Sequence, residues 1–132
     1  DTIRKAVSNG TAYIGWSAGA NVACPTISTT NDMPICQPAD LDALGLIPFQ
    51  INAHFIEGQI DGHNGESREQ RLAEYLAINP DERVVGLPEG TAIFQKGAQI
   101  LLRGEADGVL FTSHGRQTIK RDEDLSWILT SK

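Results

Sequence analysis

The feature that most constrains this chain is a serine held between two glycines, Gly15-Trp16-Ser17-Ala18-Gly19. Before it lies a short apolar, β-prone run, Thr11-Ala12-Tyr13-Ile14, which reads as a buried strand. After it come small residues, Ala18 to Ala23, suited to opening a helix. A G-x-S-x-G sequence at a strand-to-helix turn exposes a nucleophilic Oγ. The glycines matter because a Cβ is not tolerated where the backbone turns sharply and packs closely. The N–H groups at the start of the helix then face any oxyanion formed beside the serine. Acyl transfer is the chemistry to expect.

Composition narrows the alternatives. The sequence has 132 residues, 40% hydrophobic and 21% charged, which suits one globular domain. A formal charge of −6 speaks against nucleic acid or an anionic membrane as partner. No run is long and apolar enough to span a bilayer, and the start carries no leader signal, so a cytoplasmic protein is expected. Cys24 and Cys36 fit a pair of unreactive thiols better than one disulfide, and neither belongs to a zinc-ligand cluster. The first residue is Asp1, and residues 2–9 read as a helix closed by Asn9-Gly10. A helix leading straight into the elbow strand implies an earlier strand. Residues 1–132 are therefore expected to be the later portion of one catalytic domain, with its upstream segment elsewhere.

Residues 25–40 are rich in Thr, Ser, Asn, Asp and Pro and read as a surface loop long enough for a lid or binding loop. Leu44 to Phe55 reads as one strand or two, ending at His54, and a Gly-rich polar stretch follows. Ser67-Arg68-Glu69-Gln70 resembles a capping box, with Leu72, Leu76 and Ile78 as the apolar face of the helix it opens. Asn79-Pro80 stops that helix. Beyond it the chain turns β-rich. Val84 to Leu87 is a strand, Thr91 to Gln95 pairs with Gln99 to Arg103, Gly108 to Thr112 and Gln117 to Lys120 follow, and Leu125 to Leu129 closes the chain. An α/β domain is predicted, its sheet mostly parallel with antiparallel edge hairpins.

A serine hydroxyl needs a positioned base. His54 ends a β-like run at the sheet edge where the elbow would place Ser17, and active sites of open α/β sheets gather there. His63, in a Gly-rich loop, and His114, in a Ser-His-Gly turn, are the alternatives. For the group that orients the imidazole, Glu89 stands out in a Leu-Pro-Glu-Gly turn after a strand, with Asp61 as its rival. The order Ser17, His54, Glu89 differs from the Ser, acid, His order of α/β-hydrolases.

Four ordered segments carry a resemblance over essentially the whole chain. They are Ile14-Gly15-Trp16-Ser17-Ala18-Gly19-Ala20-Asn21, Ile51-Asn52-Ala53-His54-Phe55, Ser67-Arg68-Glu69-Gln70-Arg71 and Gly86-Leu87-Pro88-Glu89-Gly90. Together they resemble the S51 family of serine peptidases. The resemblance implies a flavodoxin-like fold related to class I glutamine amidotransferases, with serine in place of their cysteine. It implies a catalytic triad of Ser17, His54 and Glu89, hydrolysis of Asp-X dipeptides, and no metal or cofactor. It also implies strands and a Gly-rich loop ahead of the elbow, a source for a second oxyanion donor beside the Ala18 N–H.

An N-terminal aspartate calls for a cation, and Arg68 and Arg71 share one face of the helix after the His54 loop. Arg68 is the better placed for substrate binding. Glu57, Asp61 and Glu66 remain open as acceptors for the substrate's α-amino group, while Glu69 and Gln70 read as surface residues. The competing expectations are a cyanophycinase-type hydrolase of β-aspartyl chains and a non-catalytic binding domain on the same scaffold. A small peptide is the expected partner, and the protein is expected to be a monomer or dimer.

Overall fold

A computed structural model describes residues 2–59, 62 and 64–129. The helices are α1 (Thr2–Ser8), α2 (Ala18–Ala23) and α3 (Arg68–Ile78). The strands are β1 (Gln50–Ala53), β2 (Val84–Leu87), β3 (Thr91–Lys96), β4 (Gln99–Gly104), β5 (Gly108–Thr112) and β6 (Gly115–Ile119), followed by a 3-10 turn, Ser126–Leu129. Four strands form one sheet in the order β1-β2-β5-β6, and β3 and β4 form a separate two-stranded ribbon.

Only β1 and β2 run parallel; β2–β5 and β5–β6 are antiparallel. The sheet is thus mixed rather than mostly parallel. Alternation along the strands sorts the core into two layers, as a period of two requires. Val85, Leu87 and Leu110 pack with Cys24, Phe49, Ile100 and Leu102 on the face covered by α2 and the ribbon. Val84, Val109 and Phe111 pack with Phe55, Leu72 and Leu76 beneath α3. The rings of Phe55 and Phe111 meet edge to face at 5.3 Å. Gly86 makes this layer possible, because a Cβ there would lie 2.7 Å from Cγ of Phe55.

The capping box forms as expected: Ser67 Oγ accepts from Gln70 N at 3.2 Å, and Ser67 N donates to Gln70 Oε1 at 2.7 Å. Gln70 is therefore a structural residue of the helix start. Leu72 and Leu76 are buried, but Ile78 is 83% exposed, because the helix ends there and its last turn has passed beyond the sheet.

Among the described residues, two stretches predicted to be β do not join a sheet. Residues 11–16, which include the expected Thr11–Ile14 strand, join no ladder among the described residues, and Ile14 and Trp16 are largely exposed. Extended backbone becomes a strand only with a second backbone to pair with. Residues 44–49 are irregular for another reason. Their N–H groups are taken by the end of α2: Leu44 N donates to Val22 O, Leu46 N to Ala23 O and Gly45 N to Cys24 O, at 2.8–2.9 Å. The unsatisfied carbonyls of a short helix outcompete a ladder there. Ile47 and Phe49 are buried nonetheless. Residues 25–40 are the irregular loop the composition predicted. Cys24 is a buried free thiol, pushed up to about 12 by burial, and Cys36 is an exposed one. No helix among the described residues is long and apolar enough to cross a membrane.

Candidate active site

The parallel pairing of β1 with β2 decides which side chains can meet. The register matches Ala53 with Leu87, so the residues that follow, His54 and then Pro88-Glu89, emerge at the same sheet edge. His54 leaves its strand in a left-handed conformation, φ 56°, and Gly90 at φ 73° turns the chain just after Glu89. Thr91 ties that turn down, with its Oγ1 donating to Pro88 O at 2.5 Å.

Ser17 arrives from the other side on a locally braced elbow. Its φ of 52° and ψ of −123° lie far from the conformations L-residues prefer, and α2 begins at the next residue. Tyr13 Oη donates to Gly19 O at 2.7 Å, and Gly19 N donates to Trp16 O at 2.9 Å. Gly15 packs so tightly here that a Cβ would sit 2.5 Å from Gly19 O and 2.8 Å from Cε1 of Tyr13. The motif's first glycine is a steric requirement.

The three side chains meet in a line. His54 Nε2 lies 3.0 Å from Ser17 Oγ, and His54 Nδ1 contacts Glu89 Oε1. A carboxylate only accepts, so Nδ1 carries the hydrogen and Nε2 is left to take the serine proton. That is the arrangement a nucleophile, base and orienting acid require. It is an open one, since the His54 and Glu89 side chains are 45% and 80% exposed. The three residues line a concavity of about 920 Å³ bounded by the elbow segment, the ends of β1 and β2, and β3.

Arg68, in the first turn of α3, donates through its guanidinium to Ala53 O at 3.2 Å, immediately before the histidine. Burial and the neighbouring Arg71 lower its pKa, while Asp32 and Glu89 oppose them, and an arginine so perturbed stays charged. Arg71 donates to Asn31 O at 3.2 Å. Of the possible acceptors for an α-amino group, Glu57 pairs with Arg116 at 3.1 Å, Glu66 is exposed, and Asp61 lies outside the described residues. Glu69 also pairs with Arg116. Of the alternative bases, His114 sits in the exposed β5–β6 turn, and His63 lies outside the described residues.

Two participants went unread in the sequence. Asp32 acts on Arg68 by charge from the 25–40 loop, and Asn31 beside it donates to the carbonyl of Ala53, the residue before His54. The one available signal was the Asn-Asp pair inside a loop already suspected of binding. Among the described residues no three His, Cys, Asp or Glu side chains are gathered as a metal ion would need.

Comparison with known proteins finds named relatives. A relative named Peptidase E from Nostoc sp. is 58% identical over 111 residues, which is 84% of this chain and 46% of that protein. Peptidase E of Pasteurella multocida is 56% identical over 85% of this chain and 48% of its own length. The Haemophilus influenzae protein of that name is 62% identical over 70% of this chain and 43% of its own length. The chain spans about half the length of these curated relatives. The family model for peptidase family S51 matches residues 1–103, from α1 through the ribbon, including Ser17, His54, Arg68 and Glu89, and the chain belongs to that family.

Proposed function

We propose that this chain carries the catalytic centre of a serine dipeptidase that hydrolyses Asp-X dipeptides through an acyl-enzyme. The observation that carries the proposal is the continuous line Ser17–His54–Glu89. The names of the relatives favour a peptidase over a non-catalytic domain.

His54 takes the Ser17 proton as Oγ attacks the aspartyl carbonyl, and a C–O bond forms. The Ala18 N–H follows the nucleophile, stands at the first position of α2 and has no partner within the helix, so it donates to the oxyanion. Collapse breaks the C–N bond while His54 protonates the leaving amine. Water, deprotonated by His54, then attacks the acyl-enzyme; aspartate leaves and Ser17 regains its proton. Glu89 keeps the imidazole in the useful tautomer and offsets its transient charge.

Arg68 holds the substrate's side-chain carboxylate, with Arg71 adding positive charge beside it. With a formal charge of −6, the protein does not attract an anionic dipeptide as a whole, so this local pair of cations does so. The lack of a ladder along residues 11–16 among the described residues, and the exposed Ile14 and Trp16, support a glutamine amidotransferase-like sheet in which residues 11–16 gain strand neighbours.

The test is hydrolysis of Asp-Leu, Glu-Leu and β-Asp-Leu by the full protein. Asp-Leu is expected to be cleaved alone, and Arg68→Ala to raise its KM at least tenfold. Equal turnover of Glu-Leu would overturn the aspartyl specificity. Preference for β-Asp-Leu would support the cyanophycinase-type chemistry instead.

A further inference from the structure

We infer that Asn31 is a positioning residue for the base: it locks the Ala53–His54 peptide group and so holds the imidazole in line with Ser17. The inference rests on the role proposed for Ser17 and His54.

A histidine at φ 56° occupies a backbone conformation that costs free energy and persists only where its surroundings enforce it. On the β2 side the enforcement is ordinary, with Phe55 N donating to Leu87 O at 2.9 Å. On the opposite side β1 has no neighbouring strand within the described sheet, and side chains from elsewhere hold its outward carbonyls. Asn31 Nδ2 donates to Ala53 O at 2.7 Å, the shorter of two bonds to that oxygen, and Arg68 supplies the other. A peptide group is planar, so fixing the Ala53 oxygen also fixes the plane about which His54 sets its φ.

Asn31 is itself held on three sides. The Ala53 carbonyl can only accept, which turns the Asn31 amide so that Oδ1 faces away from it. There it accepts from Asn52 Nδ2 at 2.8 Å. Asn52 is 3% exposed and donates a second time, to Thr29 O at 2.9 Å, so the anchor is buried and does not swing. Arg71 secures the Asn31 backbone oxygen from α3.

The paired donors on Ala53 O explain why Asn31 is needed when Arg68 is already there. An Arg68 recruited to a substrate carboxylate leaves the carbonyl, and Asn31 remains on it. Binding and base placement then become separable functions of adjacent groups. Arg68 governs KM, and Asn31 governs the chemical step.

Thr29 supplies the control. Its Oγ1 donates to Ile51 O at 2.8 Å, from the same loop to the same strand edge but one repeat short of the base. The experiment follows covalent labelling of Ser17 by phenylmethanesulfonyl fluoride, in which the serine oxygen bonds to sulfur and fluoride leaves. It is run in the full protein beside steady-state hydrolysis of Asp-Leu. Asn31→Ala and the near-isosteric Asn31→Asp, which cannot donate to Ala53 O, are compared with Thr29→Val.

Both Asn31 variants are expected to label about 10–100-fold more slowly, since a small misplacement of a general base costs that much. Their kcat should fall in proportion with KM unchanged, and Thr29→Val should label within about twofold of the unsubstituted protein. Asn31→Asp decides the matter if the alanine variant does not fold. Undiminished labelling of the Asn31 variants, or equal slowing by Thr29→Val, overturns the role of Asn31 and leaves the serine mechanism standing. Failure of the unsubstituted protein to label at Ser17 overturns both. Normal labelling without Asp-Leu hydrolysis overturns only the substrate, and Asn31 is then judged on labelling alone.

Discussion

His54 and Glu89 grow out of the sheet, whereas Ser17 grows out of a segment that the sheet does not hold. β1 and β2 are buried along their whole length and locked by four residue pairs, so the base and acid inherit their positions from long-range structure. The elbow joins no ladder among the described residues, and it is braced by contacts within seven residues: Tyr13 with Gly19, Gly15 against Gly19, Trp16 with Gly19. Two kinds of architecture thus deliver the halves of one site. Damage to the core should move base and acid together, and damage to the elbow should touch the nucleophile alone.

The largest expected effect is on the elbow. Ser17→Ala should lower kcat/KM for Asp-Leu by at least about 10³-fold, with thermal melting essentially unchanged. A melting shift as large as that of a core substitution would break the division between the two regions. Gly15→Ala comes next. Its Cβ would meet Gly19 O at 2.5 Å, so the elbow must open, and a displacement near 1 Å costs roughly 10²-fold in rate. Circular dichroism should report an intact sheet for that variant.

The same substitution at the other glycine sharpens the contrast. Gly86→Ala forces a methyl into the Phe55 ring, and urea unfolding should show a loss of about 1–3 kcal/mol from overpacking. The mildest test is chemical and depends on pH. Burial raises the Cys24 thiol to about 12, so the reactive thiolate is scarce at pH 8 and grows only as pH rises toward that value. Iodoacetamide at pH 8 should mark Cys36 alone in the folded protein and both thiols in denaturant, as read by mass spectrometry. Labelling of both in the folded state would mean the α2 face of the core is open.

The division also explains what was legible in the sequence. β2, the β3–β4 ribbon, β5 and the capping box at Ser67 were read within a residue or two, because alternation and turn chemistry are local signals. Ser17, His54 and Glu89 were singled out from motif and strand-end position, and the fold brings them into contact. The lack of a ladder at Thr11–Ile14 among the described residues was not legible, since its apolar pattern is that of a buried strand and only pairing makes it one. Nor was the fate of residues 44–49, which depends on the α2 carbonyls some twenty positions earlier. Beyond the Asn31-Asp32 pair in a suspected binding loop, the sequence carries no sign of Asn31's contact, because its hydrogen bond reaches a backbone 22 residues away.

The contact between Ser17 and His54 spans 37 residues and joins parts that share no ladder. A serine separated from its imidazole is an ordinary alcohol, with no more appetite for peptide bonds than the solvent around it. Loosening of the elbow would therefore, on the proposed mechanism, part the serine from its base. On the proposed mechanism, a copy in which these two parts have not met would lack the serine–imidazole contact and with it the means to hydrolyse a peptide bond.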